Sequence, residues 1–308
     1  MVGGARPTAH GSFPEEGLRM ASQSHTFVGP PIEARRFLSH FSASTPRHWC
    51  GGNAMLTHFL NSYTLLVPGN EGYYIRTLKR VMPSLSDPAM RTMVAQFLLQ
   101  EGQHGAGHHR CWRMLESQGY RISGFQRRVD GFLYKVLEPI TPLRLRVAMV
   151  ACVEHVNAYL GHEFLAQDLL RDADPDLRAL FEWHFAEEIE HKHVVFDVLH
   201  VRGGGYLLRV FATLLVLPLF YLLMGLGAAM LLQQDKLLWR RSTWTQLRQH
   251  LFSKDHMARR TLGYLFDYLR PGFHPWQLDD RELARMVIDR YSTPEAPVLE
   301  PLPRSQAA

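Results

Sequence analysis

FLLQEGQHGAGH, residues 97–108, and HFAEEIEH, residues 184–191, decide the fold. Each carries a glutamate and a histidine three residues apart, Glu101 with His104 and Glu188 with His191. Residues at i and i+3 share one face of an α-helix, so each element aims a carboxylate and an imidazole the same way. Both elements stand among apolar residues, where a charge is costly unless it is paired or bound to metal. Working outward, Glu71 precedes Glu101 by 30 residues and Glu154 precedes Glu188 by 34. The chain therefore reads as two similar halves, each a lone Glu on one helix followed by Glu-x-x-His on the next.

The punctuation supports long helices around these motifs. Pro68-Gly69-Asn70 reads as a stop, with Asn70 capping a new helix that opens at Glu71. Asp87-Pro88 is an N-cap followed by a first-turn proline, and Gly119 supplies a left-handed stop after Gln118. Thr141-Pro142 starts a helix that ends near Arg171. Asp174-Pro175 starts another that ends before Gly203-Gly204-Gly205. No run alternates as a strand would, so the fold class is all-α: a ferritin-like four-helix bundle over 45–202, with 119–141 as its crossover link.

After the glycines the chemistry changes. Val210–Leu232 is 23 residues without a charge, long enough as a helix, about 34 Å, to cross a bilayer. Arg209 precedes it, and Lys236, Trp239, Arg240 and Arg241 follow it, a flank that suits a membrane interface. Pro218 divides the segment, so 206–234 is expected as either one membrane-associated helix or a hairpin packed on the bundle. Residues 235–292 read as short amphipathic helices. The polar, Gly/Pro/Ser-rich stretches 1–30 and 293–308 read as flexible tails.

The whole composition is that of a folded protein, 46% hydrophobic and 20% charged, with a formal net charge of +5. Seven Lys/Arg fall within 236–260, a cluster suited to anionic lipid headgroups. No nucleic-acid motif accompanies it, and no nucleic-acid partner is expected. Cys50, Cys111 and Cys152 are widely spaced and odd in number, which excludes a disulfide framework and favours small buried thiols. The first twenty residues hold no apolar core of the signal-peptide kind. The expected location is cytoplasmic, against the inner face of the cell membrane.

Six residues form the expected metal centre: Glu71, Glu101, His104, Glu154, Glu188 and His191. Two helices giving a Glu each and two giving Glu-x-x-His is the donor pattern of di-metal carboxylate bundles. Carboxylate oxygens bridge two divalent ions and offset their charge, while imidazoles cap each ion. His108 and His184 lie on the same faces and are candidates for extra donors or for partners of the donors. Glu187, four residues before His191, competes with Glu188. Glu190 is expected to face solvent.

These motifs resemble those of the bacterial proteins called "predicted metal-dependent hydrolase". The resemblance is carried by Pro68-Gly69-Asn70-Glu71, by Gln100-Glu101 through His104 with His108, by Glu154-His155, and by His184 through His191. It covers about 45–200 well. The family name implies hydrolysis by a metal-activated water. The donor set more closely resembles oxygen-handling di-iron proteins, which implies an oxidase or oxygenase with an electron donor. The expected cofactor is two divalent ions, iron foremost, with manganese or zinc as alternatives. The neighbouring apolar segment makes an apolar, lipid-like small molecule the expected substrate. A non-enzymatic metal-binding protein at the membrane is the remaining reading.

Overall fold

Asn53 opens the first long helix, α1 (Ala54–Val81), by accepting the Leu56 amide at 3.0 Å, which satisfies one of the donors that every helix start leaves unpaired. This computed structural model describes residues 31–38, 41, 44–252, 257–293 and 298–302. The expected stop at Pro68-Gly69-Asn70 does not occur: α1 runs through it, so Glu71 sits in mid-helix. A proline inside a helix frees the carbonyl four residues back, here that of Thr64. Trp112 donates its indole N–H to that oxygen at 2.7 Å, which removes the reason for the helix to end. Asn70, expected as a cap, instead accepts the Tyr134 hydroxyl at 2.7 Å.

Helix α2 (Pro88–Ser117) begins at the expected Asp87 cap and is closed by Gly119 at φ +89°. The crossover link is itself helical: α3 (Ser123–Asp130), a π-helical stretch over Gly131–Leu137, and a last turn α4 (Glu138–Ile140). Helix α5 (Leu143–Ala166) then pairs with α6 (Pro175–His191), whose first amides Asp174 caps. The fourth helix was expected to continue to Gly203. It breaks after His191 and resumes as α7 (Val194–Val201). Lys192 at the break is buried, and its ammonium donates to the Leu278 carbonyl at 2.6 Å and pairs with Asp280. A buried cation demands such partners.

Helices α1, α2, α5 and α6 form an all-α bundle with one continuous apolar core. Helix α8 (Tyr206–Gln234) lies along α1 and α5 as a single helix, passing through Pro218, which faces outward. The apolar segment is therefore not a hairpin. Ser62 of α1 ties it down by donating to the Met224 carbonyl at 2.7 Å. By length and composition α8 could cross a membrane, yet 28% of its most apolar window is buried, whereas a core helix would be mostly buried. Leu207, Phe211, Leu214, Leu215, Leu222 and Leu226 stay exposed along one face. Asp235, just past its end, gathers Arg47, His48, His58 and Tyr120. Burial pushes this carboxyl up, but the hydrogen bonds it accepts hold it far below the usual range. With an arginine already on the carboxylate at 2.6 Å, this His-His-Asp group fastens α8 to the bundle rather than inviting a cation.

The C-terminal region holds the three short helices expected, α9 (Arg241–Phe252), α10 (Met257–Tyr268) and α11 (Arg281–Tyr291). One element was not expected. Arg35–Phe37 (β1) pairs antiparallel with Leu299–Pro301 (β2), Arg36 facing Glu300. Part of the stretch 293–308, expected as a flexible tail, is thus a strand, and 1–30 lies outside the described residues. The ribbon is held by burial: Phe37 stacks on Trp183 at 5.1 Å between centroids, and Leu299 is buried. All three cysteines are buried free thiols, as their spacing implied.

Candidate metal centre

The four bundle helices bring their acidic and imidazole side chains to one buried point. Glu71 comes from α1, Glu101 and His104 from α2, Glu154 from α5, and Glu188 and His191 from α6. Each is at most 3% exposed. Two four-residue groups have donor atoms all within 4.8 Å of one another: Glu71, His104, His184 and Glu188, and Glu101, His104, Glu188 and His191. They share His104 and Glu188, so the two groups adjoin and together could hold metal.

The close approach depends on small residues. A Cβ on Gly105 would stand 3.1 Å from Glu71 Oε2, and one on Gly107 would stand 2.9 Å from Leu180. These two glycines, poor helix formers, let α1 and α6 come within contact of α2.

His104 and His191 are each oriented from behind by a carboxylate. Glu187 Oε2 lies 3.0 Å from His104 Nε2. With that N–H donated away, Nδ1 keeps its lone pair and faces Glu71 Oε1 at 3.6 Å. Glu187 is itself held by Arg35 of β1 at 3.0 Å, and the same guanidinium binds Glu190 at 2.8 Å. The competition between the adjacent acids thus resolves by geometry: Glu188 faces the cluster and Glu187 stands behind His104. Glu190, expected to face solvent, is half-buried in this ion pair because Arg35 and Gln100 both reach it. On the other side His191 Nδ1 is 2.9 Å from Glu154 Oε2, which leaves Nε2 facing Glu101 at 3.4 Å and Glu188 at 4.0 Å. Glu154 was expected as a direct donor. Its Oε2 is engaged with His191 and its Oε1 has no hydrogen bond; neither four-residue group includes it, and the first includes His184. Carboxylate–histidine pairs of this kind fix the ring that meets a metal.

His184 and His108 extend the cluster. Thr64 Oγ1 lies 3.0 Å from His108 Nδ1, His108 Nε2 lies 2.9 Å from His184 Nδ1, and His184 Nε2 lies 2.9 Å from Glu188 Oε1. Tyr63 adds its hydroxyl to His184 Nε2 at 3.0 Å, and Asn157 donates to Glu188 Oε1 at 3.2 Å. Asp197 stands apart from the cluster and pairs with His274 at 3.1 Å. His155 points away and stacks between Tyr264 and Tyr268.

The electrostatics show what this cluster lacks. Burial, reinforced by the neighbouring carboxylates, pushes Glu71, Glu101 and Glu188 well above the usual carboxylate range. Burial raises Glu187 to about 8 even with Arg35 opposing. Burial likewise holds His104 and His184 well below the usual imidazole value, and His108 falls to about 3. Both oxygens of Glu71 and of Glu101, one each of Glu154 and Glu188, His104 Nδ1 and His191 Nε2 make no hydrogen bond. Buried polar atoms are almost always partnered. Here the unpartnered ones converge, and they are hard oxygen and imidazole donors of the kind divalent first-row ions accept. Cations bound here would let the raised acids Glu71, Glu101 and Glu188 ionise and would offset their charge, while Arg35 pairs with Glu187.

Arg35, Tyr63 and Tyr74 were not foreseen. Arg35 is far away in sequence with no local signal. Tyr74 carried one: it lies three residues after Glu71 on the same helix face.

No match exists among curated proteins or solved structures. The family model described as predicted metal-dependent hydrolase matches residues 33–279, a span that includes every residue of the cluster and all of α8. This chain belongs to that family, the predicted metal-dependent hydrolases.

Proposed function

We propose that the protein is a di-metal hydrolase that works at a membrane surface on an apolar or amphiphilic ester-like substrate. The observation that carries the reading is the convergence of unpartnered donors from Glu71, Glu101, His104, Glu188 and His191 on two adjoining positions. Two divalent ions held there would lower the pKa of a water and polarise a substrate carbonyl. The chain supplies the rest. A cavity of about 10 Å³, room for roughly one water, is lined by Glu71, Asn157, Tyr63 and Tyr74. With metals bound and Glu71 thereby ionised, whichever of its two unpartnered oxygens is not given to a metal would take a proton from a water there and return it to the leaving oxygen. The water oxygen bonds to the acyl carbon, the bond to the leaving oxygen breaks, and acid and alcohol result without any change in oxidation state. Asn157 and Tyr63 hold Glu188 and His184 in place during that exchange.

The membrane half of the proposal rests on α8. Its exposed apolar face is matched by Phe132, Val136 and Ile140, three further exposed apolar residues at four-residue spacing on the crossover link. Arg202 lies exposed ahead of the helix, and Lys236, Trp239, Arg240 and Arg241 lie exposed beyond it. With its other face packed on α1 and α5, α8 is built to lie in the interface, apolar face in the acyl region and cations at the headgroups.

The donor set favours a second reading, a di-iron oxidase or oxygenase fed by an electron donor, because paired Glu and Glu-x-x-His helices are the pattern of such centres. Turnover separates the two. Hydrolysis of medium-chain esters by zinc- or manganese-loaded protein without oxygen supports the first. Turnover only with iron, oxygen and a reductant overturns it.

A further inference from the structure

We infer that the slot between α8 and the crossover link holds the aliphatic chain of the substrate, and that Tyr74 positions the polar end of that chain at the metal centre. The inference deepens the hydrolase reading and rests on it for the chemistry, but not for the binding. A cavity of about 80 Å³ lies between the crossover link and the Val216, Leu219, Phe220 and Leu223 side of α8. Its walls are mainly apolar, among them Leu137, Met149, Val153, Leu219 and Leu223. At roughly 10–15 Å³ for each water-sized position, it has room for about six such positions.

The slot leads somewhere. Leu66, Asn70, Tyr74 and Phe220 line both this cavity and the one-water cavity at Glu71. These four side chains stand between the two cavities, so the apolar slot adjoins the one-water cavity at the donor cluster. Asn70 is engaged with Tyr134. The Tyr74 hydroxyl is not engaged: the side chain is 1% exposed, and its oxygen has no hydrogen-bond partner. An unpartnered hydroxyl at the junction of an apolar slot and a polar centre is a ready partner for the oxygen of a chain whose tail fills the slot. A substrate with a charged group at mid-chain would strand that charge among the leucines, so the class is a straight-chain amphiphile, polar at one end.

The test uses the zinc-loaded full chain and the straight-chain alcohols from butanol to decanol, with affinity measured by calorimetry. Affinity is expected to rise roughly fourfold per added methylene until about six are housed, then to level. Leu219→Trp, which fills the slot, should flatten that rise, and Leu223→Trp repeats the test if the first variant folds poorly by circular dichroism. Tyr74→Phe should lower affinity about fivefold by the same factor at every length, leaving the slope intact. An affinity independent of chain length, or a slope that survives both Trp variants, overturns the slot. A Tyr74→Phe variant that binds every alcohol as the parent does overturns the role of Tyr74. Ester turnover is scored separately: absent turnover with the length dependence intact removes the hydrolase reading and leaves the slot standing.

Discussion

Replacing Glu187 and Glu188 one at a time should have unequal effects, although the two acids are adjacent and equally buried. Glu188 contributes to both four-residue groups, so Glu188→Ala takes a donor from each cation position. Glu187 touches neither position directly; it takes the Nε2 side of His104 at 3.0 Å and leaves Nδ1 toward Glu71. Removing such an orienting carboxylate typically costs about 10- to 100-fold in metal affinity, or roughly 1.4–2.7 kcal/mol. Arg35 is not stranded by the change, because Glu190 still holds it at 2.8 Å. Glu187→Gln should recover part of the loss, since an amide oxygen still accepts the His104 N–H. Competition with a chromophoric chelator, followed by metal analysis, reads both stoichiometry and affinity. The expected order is two ions held weakly in Glu187→Ala and both lost at micromolar metal in Glu188→Ala. The reasoning fails if Glu188→Ala keeps two tightly held ions while Glu187→Ala loses them.

Three further outcomes follow from the same structure. Glu187 is raised from 4.5 to about 8, and Glu101 and Glu188 are raised well above the usual carboxylate range; the folded chain then binds more protons than the unfolded one, so stability present at lower pH is lost as pH rises. The lowered histidines act oppositely only below their ordinary 6.5, so the melting temperature of metal-free protein should fall from pH 6.5 to 8, with metal-loaded protein falling less; a flat metal-free profile contradicts this. Trp112→Phe should destabilise by about 1–3 kcal/mol by stranding the Thr64 carbonyl, and Pro68→Ala, which restores the local N–H, should reduce that cost in a denaturation double-mutant cycle; additive effects would argue against the link. Phe211→Glu with Leu214→Glu should abolish flotation with anionic vesicles while leaving metal content unchanged, and undiminished flotation would place the membrane face elsewhere.

Much of the centre was legible because a helix converts spacing into direction. Glu101 with His104 and Glu188 with His191 announce themselves by the i, i+3 interval, and the two-half repeat selects Glu71 and Glu154. The choice between Glu187 and Glu188 was not legible, since both are near a helix face that includes His191. What separates them is Arg35, some 150 residues away and brought close by a ribbon whose second strand begins at Leu299. The stop read at Pro68 failed for a similar reason. Local chemistry does favour a break there, but a tryptophan from the neighbouring helix supplies the missing donor. The length and apolarity of α8 were plain in the sequence. Which of its faces meets the bundle was not, because nearly all of its residues are apolar and periodicity carries little signal.

The most direct test of the central claim is X-ray absorption on metal-reconstituted protein together with its metal stoichiometry. Two adjoining sites sharing Glu188 and His104 predict two divalent ions per chain, bound by oxygen and imidazole donors, with a metal–metal scattering path at roughly 3.5–4 Å. A single ion per chain, or two ions with no such path, would contradict it.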